Sequence, residues 1–106
     1  MPKYLGLAKY IGKGNEGLLK EGGSSRKEKV RQSIERLGGT LDALYWAFGE
    51  HDVVAIADFP DDASAAAFSL MLNSSGTTSL VITPLMTPED IDEASKKTPA
   101  FRPPGQ

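Results

Sequence analysis

From Lys3 to Tyr10 the chain alternates, which predicts a first strand: Leu5 and Leu7 share one face with Lys3 and Lys9, and Tyr4, Gly6, Ala8 and Tyr10 share the other. The Tyr/Gly/Ala face is smooth and suits close contact with another layer. From Ser25 to Leu37 the period changes. Val30, Ile34 and Leu37 stand at i, i+4 and i+7, one apolar stripe of a helix. Ser25 with Glu28 reads as its capping box and Gly38-Gly39 as its stop.

The densest apolar stretch runs from Thr40 to Phe59. Two runs rich in β-branched and aromatic residues flank the break Gly49-Glu50-His51-Asp52, the pattern of a β-hairpin. In the first run Leu41, Ala43, Tyr45 and Ala47 alternate with Asp42, Leu44, Trp46 and Phe48. In the second, Val53, Ala55, Ala57 and Phe59 alternate with Val54, Ile56 and Asp58. Both faces are largely apolar, so the sheet is covered on both sides. Helices supply one cover. The other is absent from the chain and points to a partner subunit.

Pro60 ends the second run, because its ring nitrogen cannot donate to a ladder. Asp61-Asp62 caps a helix over residues 63–72 with Ala65, Phe68 and Leu72 as its buried stripe. The run from Thr77 to Leu85 is a last strand, with Pro84 marking an edge or an end. Thr87-Pro88-Glu89-Asp90 starts a short helix through Ser95. The order β-α-β-β-α-β predicts an α+β, ferredoxin-like plait: a four-stranded antiparallel sheet with two helices on one face and a short C-terminal helix appended. The bare sheet face of such a monomer is an association surface.

Length and charge narrow the partners. The 106 residues make one domain over residues 1–95, followed by a Pro-rich tail over 96–106 that reads as extended or disordered. There is no Cys, hence no disulfide framework and no thiolate nucleophile. A net charge of −2 and a pI near 5.3 argue against nucleic acid. The opening MPKYLGLAKY is too short and polar for a signal peptide, and no run is long enough to span a membrane. A cytoplasmic protein is expected.

Residues 12–17 hold Gly12, Gly14 and Gly17 at the spacing of a dinucleotide fingerprint. Gly22-Gly23 interrupts the helix that should follow, and no acid stands at the end of a second strand. Lys13 is followed by Gly14-Asn15, so the phosphate-loop pattern fails as well. The segment reads as a mobile strand-to-helix connection. The basic residues Arg26, Lys27, Lys29, Arg31 and Arg36 read as a solvated helix face.

His51, the only histidine, lies between Glu50 and Asp52. A His beside carboxylates can serve as a general base, but three consecutive turn residues point different ways. Gly49 and Asp52 are read as structural, with the Asp carboxylate bonding backbone N–H groups to fix the hairpin. Tyr4, Tyr10, Trp46 and His51 are candidate ligand-binding residues, and Tyr45 and Trp46 with His51 the candidate catalytic set. As a rival reading the rings form core and interface. Lys9 and Asp58, both within strands, are expected to pair. No metal and no cofactor is expected.

Gly49-Glu50-His51-Asp52 followed by Val53-Val54-Ala55-Ile56, then Phe59-Pro60-Asp61-Asp62 before an Ala-rich helix, resembles the small single-domain GYD family, named for a Gly-x-Tyr-Asp turn. Pro2-Lys3-Tyr4 and Leu37-Gly38-Gly39 fit as well, and the resemblance covers about residues 1–95. His51 stands where that family has its Tyr, so no role of the phenol transfers. The resemblance implies association of the dimeric α+β barrel type, two sheets packed face to face. The functional expectation is a homo-oligomeric module, dimer or higher, that binds a small molecule or serves regulation or assembly, without its own catalytic constellation. The alternative is a small cofactor-independent enzyme, monooxygenase- or isomerase-like, acting on a small aromatic or carbonyl substrate. An enclosed pocket marks the enzyme; a space filled by Phe48 and Leu44 marks the assembly module.

Overall fold

The computed structural model describes residues 1–97 and 99–106. Its elements in chain order are β1 (Lys3–Tyr10), α1 (Gly14–Glu21), α2 (Gly23–Arg36), β2 (Thr40–Trp46), β3 (Val53–Asp58), α3 (Asp62–Asn73), β4 (Thr78–Leu85) and α4 (Pro88–Lys96). The four strands form one antiparallel sheet in the order β2-β3-β1-β4. This is the ferredoxin-like plait. α2 packs over β2, α3 packs over β4, and α1 leans on α2.

The pleat sorts the side chains. Register pairs Tyr4 with Ala57, Gly6 with Ala55 and Ala8 with Leu80, so the smooth face of β1 lies under the helices. There Tyr4, Ile34, Ala57, Phe59, Ala65, Phe68 and Leu80 form the core. The rings of Tyr4 and Phe59 meet edge to face at 5.6 Å, and Phe59 and Phe68 lie 5.7 Å apart. Phe59 and Ile34 are the most completely buried side chains.

Caps hold the helices where the sequence signals them, with one exception. Asp61 accepts the Ser64 backbone N–H at 2.8 Å, and this bond holds its carboxyl below the usual range. Thr87 and Asp90 form a reciprocal capping box with Pro88 inside it. At the end of α2 the Gly39 N–H bonds the Ile34 carbonyl and the Gly38 N–H bonds that of Glu35, a Schellman closure. Gly38 takes φ +83° there, as the closure demands. The exception is Ser25 and Glu28. α2 begins at Gly23 with no side-chain cap, and Glu28 turns instead to Arg31, whose Nε donates to it at 2.8 Å.

Three further expectations are corrected. The glycine-rich segment is not a loose connection: residues 14–21 are α1. A Cβ on Gly14 would stand 2.3 Å from the Thr77 carbonyl oxygen, so close packing explains this glycine better than phosphate binding does. β2 does not alternate strictly. A bulge between Leu41 and Ala43 leaves Asp42 as the extra residue and brings Leu41 to the same face as Leu44 and Trp46. Lys9 does not pair with Asp58. Lys3 does, at 3.1 Å, and it also pairs with the bulged Asp42.

The opposite sheet face has no cover among the described residues. It carries Leu5, Leu7, Val54 and Ile56, half-buried, together with Tyr45 (69% exposed) and Val81 (58% exposed). Phe48, at the hairpin end, is fully exposed and fills no interior space. α4 is exposed along its length, as are residues 99–106, which form no helix or strand. The molecule extends 58 Å along its longest axis, with a radius of gyration of 17.1 Å against about 13 Å for a compact domain of this length. Among the described residues no helix is long and apolar enough to cross a membrane.

Candidate functional site

α2 and α3 stand apart over the two sides of the sheet, and the gap between them is floored by small residues. Gly6 and Ala8 of β1 and Ala55 and Ala57 of β3 leave room that larger side chains would fill. Val30 and Ile34 of α2 and Phe68 and Leu72 of α3 form the walls, and Trp46 and Tyr10 close one end. The cavity measures about 60 Å³ and its lining is almost entirely apolar. An apolar cavity of about 150 Å³ accepts benzene, so this one takes a short aliphatic group and not an aromatic ring.

A second cavity of about 110 Å³, of mixed lining and more polar than the first, lies against α1, lined by Lys13, Gly14, Glu21 and Thr77 among others. Tyr10 and Arg26 line both cavities. The two spaces therefore share a wall at Tyr10 and Arg26, and the second, which also carries Lys13, is the polar mouth beside the apolar chamber. Trp46 Nε1–H donates to the Tyr10 hydroxyl at 3.3 Å, which fixes both rings at the junction. Gly23, at the start of α2, lies against the Trp46 ring.

The hairpin turn positions this junction from a distance. β1 runs two residues past the point where β3 begins, and Asp52 completes the ladder. Its backbone N–H donates to the Ala8 carbonyl, and its carboxylate accepts the Tyr10 backbone N–H, both at 2.8 Å. The Asp52 carbonyl also accepts the Ala47 N–H at 2.9 Å, closing the hairpin. The structural reading of Asp52 thus acquires a target: it holds Tyr10, which holds Trp46. Gly49 has open space around its α-carbon and no left-handed backbone, so the turn does not depend on it for either reason.

The remaining predicted residues scatter. Tyr4 lines the chamber but is anchored, since its hydroxyl donates to Asp62 at 2.5 Å. That bond, with burial and the nearby Asp61 and Asp62 charges, pushes the Tyr4 pKa up to about 12. Tyr45 lies on the uncovered sheet face, paired across the strands with Val54. His51 is half-buried at the turn and lines neither cavity. Of the candidate catalytic set only Trp46 reaches the chamber. Among the described residues no group of three or more His, Asp or Glu side chains could hold a metal.

Arg26 is the residue that the sequence pattern conceals. By composition it joins the solvated basic face, yet it stands four residues before Val30 and eight before Ile34, in line with the apolar stripe. A cation that continues an apolar stripe by one turn is the signal that could have found it. A family model described as the GYD domain matches residues 4–95. No curated protein and no solved structure matches the chain.

Proposed function

The chain belongs to the GYD domain family, and from that premise we propose that it is a cytoplasmic, homo-oligomeric module that binds a small molecule between sheet and helices. The observation that carries this reading is the apolar chamber floored by Gly6, Ala8, Ala55 and Ala57, with Tyr10 and Arg26 shared between it and the neighbouring polar mouth. A protein selected only to pack would fill such a space, because interiors are close-packed and each void weakens them. The binding role requires no catalysis: His51, Tyr45 and Trp46 do not converge on one substrate position.

A second copy of the chain is the occupant that suits the uncovered sheet face. The apolar residues there form one contiguous surface, and a two-fold axis lets the same patch serve both partners. Charge supports the choice. Lys3, on that face, is already paired with Asp42 and Asp58, and these partners raise its pKa. Covering the face therefore leaves the Lys3 cluster paired, where an isolated charge would be costly to bury. Native mass spectrometry of protein purified from its own host tests both parts. The expected species is a multiple of the 11.3 kDa chain carrying a small-molecule adduct. A bare monomer would contradict it.

A further inference from the structure

Resting on the binding reading above, we infer that the ligand is a short aliphatic carboxylate, with its carboxylate at Arg26 and the Tyr10 hydroxyl and its hydrocarbon end in the apolar chamber. The two ends of the site make different chemical demands, and few small molecules meet both.

At the polar end, Arg26 is half-buried and makes no side-chain hydrogen bond or ion pair with any described residue, although it lines both cavities. Of the other basic residues of its helix, Arg31 pairs with Glu28 and Glu35 and Lys29 with Glu21 at 3.0 Å, while Lys27 and Arg36 are exposed to solvent and line neither cavity. The Tyr10 hydroxyl accepts from Trp46 and makes no other bond to a described residue, which leaves its own proton to donate. Lys13 adds a further cation at the mouth; the one acid there, Glu21, is ion-paired with Lys29 at 3.0 Å, although its buried Oε1 accepts no hydrogen bond from a described residue. Donors thus outnumber acceptors at the junction. A guanidinium and a hydroxyl with no acceptor of their own recognise an oxyanion, and the fork of the guanidinium matches a carboxylate.

At the apolar end, size sets the limit. A chamber of about 60 Å³ has room for about four water-sized groups, at the ~15 Å³ of such space that one group needs, enough for a short hydrocarbon chain. Thr78 is the one small polar side chain deep in an otherwise apolar lining, so that portion of the ligand is hydrocarbon. An anion with a polar body would strand its hydroxyls there, and a bare inorganic anion would leave the chamber unused.

Trp46, the only tryptophan, stands at the junction and reports occupancy through its fluorescence and its indole N–H resonance. The test is titration of the intact protein with butyrate, butan-1-ol and butylammonium, which share a chain and differ in headgroup. Butyrate is expected to give a saturable Trp46 response at the lowest concentration and butylammonium the weakest. Arg26→Met should weaken butyrate by about tenfold or more, as loss of a charge-assisted bond does, and change butan-1-ol less than about twofold. Gly6→Ala should weaken butyrate and butan-1-ol alike. Its Cβ would meet Leu80 Cδ1 at 3.5 Å, an ordinary contact, so the variant narrows the chamber without disturbing the fold. Equal binding of butyrate and butan-1-ol, or butyrate binding indifferent to Arg26→Met, overturns the carboxylate assignment and leaves the binding reading standing. No response to any of the three probes overturns the binding reading itself.

Discussion

The carboxylate of Asp52 accepts the backbone N–H of Tyr10 across 2.8 Å, so the hairpin turn and the apolar chamber are parts of one arrangement. The bond is made to the main chain, which lets the turn fix the strand while the Tyr10 side chain stays free to face Trp46 and the polar mouth. Asp52→Ala leaves a half-buried N–H without its acceptor and should cost about 2 kcal/mol in urea unfolding. Asp52→Asn keeps an acceptor oxygen and should recover most of that loss.

Tyr4 makes stability depend on alkaline pH. Its pKa, ordinarily 10.0, stands at about 12 in the fold, because the hydroxyl donates to Asp62 and is shielded from water. The neutral phenol is the form the fold favours. Its contribution is complete below pH 10 and is lost as pH rises toward 12. Equilibrium unfolding at a series of pH values should show this decline, and Tyr4→Phe should flatten it over the same window.

Two glycines of α1 separate packing from helix propensity. Gly14 is pressed against the Thr77 carbonyl, so Gly14→Ala should destabilise by about 1–3 kcal/mol through forced displacement of α1. Gly17 lies inside the same helix, and nothing stands within 4 Å of where an added methyl would sit. Gly17→Ala should therefore stabilise by up to about 1 kcal/mol. Thermal melts of the two single variants should move in opposite directions.

The uncovered face gives a prediction about assembly. Val81 lies beside Leu7 on that face and is largely exposed in the single chain. Val81→Lys should change the stability of the isolated fold by less than about 0.5 kcal/mol. If the proposed assembly packs this face against a second copy, the variant should shift the sedimentation coefficient toward the monomer, because burying the new lysine there is costly. An unchanged sedimentation profile would count against assembly through this face.

Much of this architecture is legible in the sequence, for local reasons. Alternation in β1, the Gly38-Gly39 stop, the Asp61 cap and the Thr87-Asp90 box each act within a few residues, so their signals lie side by side in the chain. α1 is not legible, since Gly14 and Gly17 depress helix propensity and the contact that requires Gly14 comes from Thr77, far along the chain. The bulge places Asp42 in an ion pair with Lys3 across the sheet, a long-range contact with no local signature. His51 draws attention by rarity, whereas Arg26 hides among basic neighbours and is distinguished only by its alignment with Val30 and Ile34. Rarity marks a residue; register places it.

The central claim is that the space between sheet and helices is kept open for a ligand. The most direct measurement is a crystal structure of protein purified from its own host and never exposed to denaturant. Density for a small molecule over Gly6 and Ala55, with its polar end between Arg26 and Tyr10, is the predicted result. A chamber closed by Trp46 and the walls of α2 and α3, with any bound molecule seated elsewhere, would contradict it.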